Sequence, residues 1–299
     1  MKMELEDYQK VFEEYVSKEN LLPDHSFVFV LVSGGKDSTV MSYLLREYAK
    51  KRRSLKLEYL NVVFPQMVFG LTPKEVNATV DRIGKGFKKF KSRIAETDCR
   101  ELEQTRTPCL LCKQVRRKII AEMIAHEKKQ NIIIATGHNN YDLLAYFTEF
   151  FGTGYKEVAE EGIDYEHMRR ISIKDEHLEH FSHFFPRLEL NSGVMLVKPM
   201  LIFNRLEVED MFCKINNIPK PEFTTGCGIA GYLDHCPYAK ERPKRIMFEY
   251  LSKFPKEHIE KLTNHDTYKE MLDALKQKAD NYKEAFDKIK NAKYEELLF

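Results

Sequence analysis

The sequence has no apolar run near twenty residues, and its opening, "MKMELEDYQKVFEEYV", is amphipathic and charged with no hydrophobic signal region. Neither a membrane span nor a secretory leader is expected, so the chain reads as cytoplasmic with no membrane partner. Internal repeats and low-complexity segments are also missing, which argues against a repeat array. Net charge is small. The 48 Lys+Arg against 46 Asp+Glu leave +2, too slight an imbalance to argue for a nucleic-acid partner by itself. Six cysteines in a chain of 299 residues, two of them in a C-x-x-C, point to metal or sulfur chemistry more than to a disulfide framework.

What is present begins with 43% hydrophobic residues, enough for a sizeable core in one large domain or two. Charge is concentrated locally: "KKRR" at 50–53, "KGFKKFKSR" at 85–93, "RRK" at 116–118 and "KERPKR" at 240–245. One such cluster is ordinarily a solvated helix face, whereas four together leave RNA binding open.

Strand-like runs recur at 26–32, 55–64, 92–97, 131–136 and 193–199, with helical patterns at about 38–52, 73–91, 110–129 and 140–151. This alternation predicts an α/β fold, a doubly wound, mainly parallel five-stranded sheet with helices on both faces and a helical C-terminal extension. "FVFVLV" and "IIIA" are apolar on both sides, as central parallel strands must be. The expected organisation is an N-terminal helix at 1–24, a main domain at 25–215 with a charged insertion at about 152–192, and a cysteine-containing linker with helices at 216–299.

Within "VFVLVSGGKDST" (28–39) a valine-rich strand runs into Ser33-Gly34-Gly35-Lys36-Asp37-Ser38 and then into a helix. Gly34 and Gly35 let the backbone approach an anion, the helix start points amides and dipole at it, and Ser33, Lys36 and Ser38 add donors. Asp37 has the ordinary alternative of a helix cap. In an open parallel sheet ligands bind beyond the carboxyl ends of the strands, where 33–38, 61–64 and "GHNNYD" (137–142) all fall.

Cys109 and Cys112 lie in the first turn of a helix that Pro108 starts, with Leu111, Val115, Ile119 and Met123 as its apolar stripe. A helix N-terminus and the nearby Arg116 and Arg117 favour thiolates. Two such cysteines are half a metal site, a redox pair or two buried thiols. Further ligands would come from Cys227 or Cys236 in the Pro/Gly-rich linker; Cys99 and Cys213 read as plain thiols. His177, His180 and His183 are spaced by three, which walks around a helix and places three ligands poorly for one ion.

"SGGKDST" resembles the PP-loop signature of the ATP pyrophosphatase superfamily. "PCLLCKQVRRKIIAEMIAHEKKQNIIIATGHNNYD" looks like the central block of the tRNA 2-thiolation enzymes, and "DHCPYAKERPKR" is similar to the third-cysteine region of their 2-thiouridine branch. The resemblance implies that ATP with Mg2+ binds across Val32 and residues 33–38, with adenine near Val62, Val63 and Gly137. Lys36 and Asp142 would be catalytic, and Arg116 would steady phosphate or RNA. It also implies a 4Fe-4S cluster on Cys109, Cys112 and Cys236, with Cys227 the runner-up in a four-cysteine site. The substrate would be tRNA, served by a sulfur donor, and the assembly a homodimer.

Two departures stand out. The pattern has paired aspartates after the glycine and histidine, where this chain has Tyr141 and Asp142, and an acid three positions on, where it has Ala145. Residues 1–24 hold no cysteine-rich ribbon of the 2-thiouridine kind, as in the 2-thiocytidine branch, so the base is undecided. A cluster-free PP-loop ligase, a small-molecule sulfurtransferase and a non-thiolating homologue remain as alternatives.

Overall fold

The computed structural model describes residues 3–63, 90, 93–97, 101, 105, 108–127, 131–151, 164–219, 264 and 266–298. Among these the sheet has six strands, β1 (Phe27–Leu31), β2 (Lys56–Val63), β3 (Arg93–Glu96), β4 (Ile132–Ala135), β5 (Arg187–Glu189) and β6 (Met195–Val197), in the order β3-β2-β1-β4-β6-β5. All five strands read from the sequence are parallel neighbours, and β5 is added antiparallel to β6 at the edge. The sheet therefore has one strand more than the five expected. The extra strand is three residues long, too short for a visible alternation, and follows Pro186 inside the charged insertion.

The chain builds outward from β1 through β2 to β3, then crosses to the other side of β1 for β4. The order thus reverses between β1 and β4, the central pair. Val28, Phe29 and Val30 of β1 and Ile133, Ile134 and Ala135 of β4 are wholly buried, as strands covered by helices on both faces require.

Helices α1 (Leu5–Lys18), α2 (Lys36–Lys50), α3 (Pro108–Ala125), α4 (Asn140–Phe151), α5 (Leu178–Ser182), α6 (Arg205–Asn216), α7 (Thr267–Lys278) and α8 (Tyr282–Asn291) accompany the sheet. Helix α2 packs against α6 and α1, and α3 lies along β2. The helix expected at 73–91, apart from Phe90, and the linker beyond 219 lie outside the described residues. No helix among the described residues is long and apolar enough to cross a membrane.

The C-terminal helices are docked, not extended. Their charged faces point outward while Tyr268, Met271, Leu275 and Ile289 join the core. They meet the insertion directly. The Asn281 side chain accepts from the Ile173 amide and donates to its carbonyl, both at 2.8 Å, and Phe181 and Phe185 pack on Tyr282 and Phe286. The insertion and the C-terminal helices thus complete each other's apolar faces.

Candidate phosphate-binding site

The loop after β1 is shaped by its own small side chains. Gly34 takes φ +84°, a left-handed conformation that glycine adopts without strain. Gly35 is the N-cap of α2, and its carbonyl receives Thr39 Oγ1 at 2.8 Å and Ser38 Oγ at 3.1 Å. Ser38 Oγ also lies 3.0 Å from Ser33 Oγ and accepts from the Ser33 amide at 3.2 Å, which draws the loop into a tight concave turn. Val32 is tied to β2 on both sides: its amide donates to the Leu60 carbonyl at 2.8 Å, and its own carbonyl accepts from buried Asn61.

The second loop, after β4, presses against the first. A Cβ on Gly137 would come within 3.2 Å of the Ser38 amide nitrogen and 3.4 Å of the Asp37 carbonyl carbon, a tight contact with backbone that the glycine avoids while the two loops approach. Asn139 then caps α4. Its Oδ1 accepts from the Tyr141 and Asp142 amides at 2.9 and 3.2 Å, while Asp142 Oδ2 accepts from the Asn139 amide at 2.9 Å. This is a capping box with the acid at the third helical position. The same side chain reaches the first loop, donating through Nδ2 to Asp37 Oδ1 at 2.8 Å.

Helix α6 closes the third side. Lys36, only 7% exposed, has its ammonium 3.8 Å from Asp37 Oδ2 and 3.8 Å from Glu209 Oε1. Glu209 in turn accepts from Arg205 Nε at 2.8 Å, and the Arg205 guanidinium lies over the ring of Tyr141, 5.5 Å from its centroid. Burial pushes the Tyr141 phenol up to about 12, so it stays a neutral partner at working pH.

No protein-family model matches the chain. Curated relatives do, all of them tRNA-cytidine(32) 2-sulfurtransferases. That of Neisseria meningitidis is 30% identical over 145 residues, 46% of this chain and 43% of the relative. Those of Ectopseudomonas mendocina and Bdellovibrio bacteriovorus are 28% and 31% identical over 151 and 129 residues, covering 48% and 42% of this chain and 53% and 47% of theirs. The chain spans about half the length of the curated relatives it matches. Among solved structures, the U34-tRNA thiolase NcsA from Methanococcus maripaludis, with its [4Fe-4S] cluster, is 20% identical with TM-score 0.46, over 84% of this chain and 80% of its own. NAD+ synthetase from Burkholderia pseudomallei is 11% identical with TM-score 0.42, over 93% and 90%.

The chain is thus similar to tRNA-cytidine(32) 2-sulfurtransferases over a little under half of its length. Of the site residues expected from the sequence, the structure brings together Ser33, Gly34, Gly35, Lys36, Asp37, Ser38, Gly137 and Asp142 where the two loops meet. Val32 and Val62 are buried beneath it in the core, and the side chain of Val63 lies outside the described residues. Cys109, Cys112 and Arg116 belong to α3, which begins at Pro108 as expected. Cys112 is half-buried against the core and Arg116 is half-buried on the same helix; the side chain of Cys109 lies outside the described residues, as do all of Cys227, Cys236 and Cys99. Cys213 is a half-buried thiol of α6, pushed up by burial and then by Asp210 and Glu209. The basic clusters at 85–93 and 240–245 lie wholly or largely outside the described residues too.

Helix α3 is fastened by the insertion and the C-terminal segment. Glu179 of α5 receives Arg117 at 2.8 Å and Lys113, and Tyr294 donates to the Ala121 carbonyl at 3.2 Å. The three histidines do not converge, and no cluster of three metal-ligating side chains occurs among the described residues. They pack in a row against overlapping neighbours instead: His183 stacks on His138 with centroids 3.9 Å apart and on Tyr146 at 5.4 Å, His180 stacks on Tyr146 at 4.3 Å and contacts Glu149 at 2.8 Å, and His177 lies 4.0 Å from Glu149 and edge-on to Phe150.

Three participants were missed from the sequence. Asn139 had a readable signal, since N-x-x-D before an apolar helix is a capping-box pattern. Arg205 and Glu209, an i,i+4 pair on α6, had none, because only the docking of α6 on α2 brings them to Lys36.

Proposed function

We propose that this protein is an ATP-dependent tRNA 2-thiolation enzyme, which adenylates a pyrimidine carbonyl and exchanges its oxygen for sulfur. One observation carries the proposal: the glycine-bearing loop at 33–38 stands at the carboxyl end of central β1 and faces residues 137–142 across the point where strand order reverses. Nucleotide phosphates suit such a crevice, and the names of the curated relatives supply the direction of the chemistry.

In this proposal the loop amides, the Ser33 and Ser38 hydroxyls and Lys36 take the β- and γ-phosphates at the positive end of α2. Val32, Val62 and Val63 border the adenine side, and Gly137 keeps the two loops close. A base carbonyl oxygen attacks the α-phosphorus, the bond to the bridging oxygen breaks, and pyrophosphate leaves with the electron pair into the loop. Donors already in place stabilise charge developing on the leaving group. Asp37 and Asp142 are hard oxygen donors beside the loop and fit Mg2+. Arg116 would steady phosphate or RNA, and the basic clusters would track the RNA backbone.

The donor chemistry of α3 fits an iron-sulfur group, since Cys109 and Cys112 are one turn apart at a helix start, where thiolates are favoured. Cys236 would complete the set, with Cys227 as the runner-up. When bound, the 4Fe-4S cluster would supply an open iron that presents sulfur from the donor.

The test is an iron and sulfide assay of the anaerobically purified full chain, together with ATP-dependent thiolation of tRNA. Iron, and thiolated tRNA formed with pyrophosphate release, are expected; neither iron nor thiolation of any tRNA would falsify the proposal. A second reading, a non-thiolating homologue, draws on Tyr141, a buried phenol where the family pattern has an acid. Pyrophosphate release with tRNA but no sulfur incorporation selects it.

A further inference from the structure

Lys36 is held between two carboxylates from different helices. Its ammonium is buried and stands at equal distance, 3.8 Å, from Asp37 of its own helix and from Glu209 of α6. Both distances are near the outer limit of an ion pair, so neither carboxylate clamps it. The two carboxylates are themselves engaged, Asp37 by Asn139 at 2.8 Å and Glu209 by Arg205 at 2.8 Å. Asn139 and Arg205 both return to the start of α4, the first through the Tyr141 amide and the second over the Tyr141 ring. The result is a closed polar circuit, Asn139–Asp37–Lys36–Glu209–Arg205–Tyr141, joining three elements around the loop. Two cations face two carboxylates in it, so its charge sums to zero.

An anion entering the loop must draw Lys36 away from these carboxylates. Glu209 is therefore a built-in competitor for the lysine, and its strength is set by how firmly Arg205 occupies it. We propose that Glu209 is a positioning residue for Lys36, keeping the ammonium at the loop while the site is empty and yielding it to phosphate, and that Arg205 tunes this exchange. Helix α6 thereby sets how tightly the loop holds pyrophosphate and how readily it lets it go. This role presupposes the phosphate site proposed above.

The experiment is titration calorimetry of inorganic pyrophosphate into the full chain, comparing wild type, Glu209→Gln and Arg205→Gln at low and moderate salt. Removing the competing charge in Glu209→Gln is expected to tighten binding by roughly three- to tenfold, with the gain shrinking as salt rises. Arg205→Gln frees Glu209 to grip Lys36 and is expected to weaken binding. A merely structural role predicts loss in both variants. Glu209→Gln that binds within about twofold of wild type, or more weakly, overturns the proposal, and so does a change of the same sign in both variants. Wild type that binds no pyrophosphate refutes the phosphate site itself and this role with it, whereas normal wild-type binding with an unmoved Glu209→Gln refutes this role alone.

Discussion

Asn139 offers the sharpest test of how the crevice is held, because one side chain performs two separable tasks. Its Oδ1 caps α4, and its Nδ2 bridges to Asp37 at 2.8 Å. Losing an N-cap costs about 1 kcal/mol, and losing a hydrogen bond to a charged group about 1.5–3 kcal/mol. Asn139→Ala removes both and should lose about 2.5–4 kcal/mol in urea unfolding. Asn139→Ser keeps a capping oxygen and should lose only the second part. Asn139→Asp caps as well as asparagine does, but it sets a carboxylate against Asp37 and is expected to be less stable than Asn139→Ser. A double-mutant cycle of Asn139→Ala with Asp37→Ala isolates the bridge. Its coupling energy should be about 1.5–3 kcal/mol, whereas a value under about 0.5 kcal/mol would refute the idea that this bond joins the loops.

Three further outcomes follow from the packing. Gly137→Ala forces a Cβ against the backbone of Asp37 and Ser38 and should cost about 1–3 kcal/mol, with weaker pyrophosphate binding read by calorimetry. Lys198, wholly buried just beyond β6 with its Nζ on the Ser182 carbonyl at 2.8 Å, is lowered by burial to about 7. The folded chain releases this proton near pH 7 while the unfolded chain keeps it to about 10.5, so stability should rise with pH across that window. Lys198→Met, followed by denaturant melts at several pH values, should remove the slope. Glu179→Gln weakens the tether from α5 to Lys113 and Arg117 of α3, and Cys112 should then be alkylated faster than in wild type.

The centre of the sheet was legible because physics leaves little choice there. Strands such as Phe27–Leu31 and Ile132–Ala135, covered on both faces, must be apolar throughout, and the helices between them supply the parallel crossovers. The loop at 33–38 was legible for a similar reason, since adjacent glycines between a buried strand and a helix have few uses. What the sequence hid depends on docking. Nothing near Glu209 marks it as a neighbour of Lys36, and the polar C-terminal helices looked like an appendage because their apolar partners, Phe181 and Phe185, lie far away in the chain. The strand Arg187–Glu189 exists because β6 offers it an open edge, a fact no three-residue window contains.

The histidine series shows how such docking turns a suggestive motif into another kind of device. A spacing of three rotates successive side chains around the axis, so His177, His180 and His183 cannot surround one ion. They meet α4 in reverse order instead: His183 lies against His138 and Tyr146, His180 against Tyr146 and Glu149, and His177 against Phe150. Rising numbers on α4 meet falling numbers on the insertion, the signature of two antiparallel segments interlocking their rings. Burial works to raise the Glu149 carboxyl, but the hydrogen bond with His180 and the charges of His180, His177 and Lys113 bring it below its ordinary value, which keeps an anion within this seam. The seam ends on His138, whose Nδ1 lies 3.0 Å from Thr136 Oγ1 immediately before Gly137. The loop that faces the proposed phosphate site is therefore braced from behind by the insertion, and an alteration at His183 should reach that loop through His138, on which His183 stacks directly.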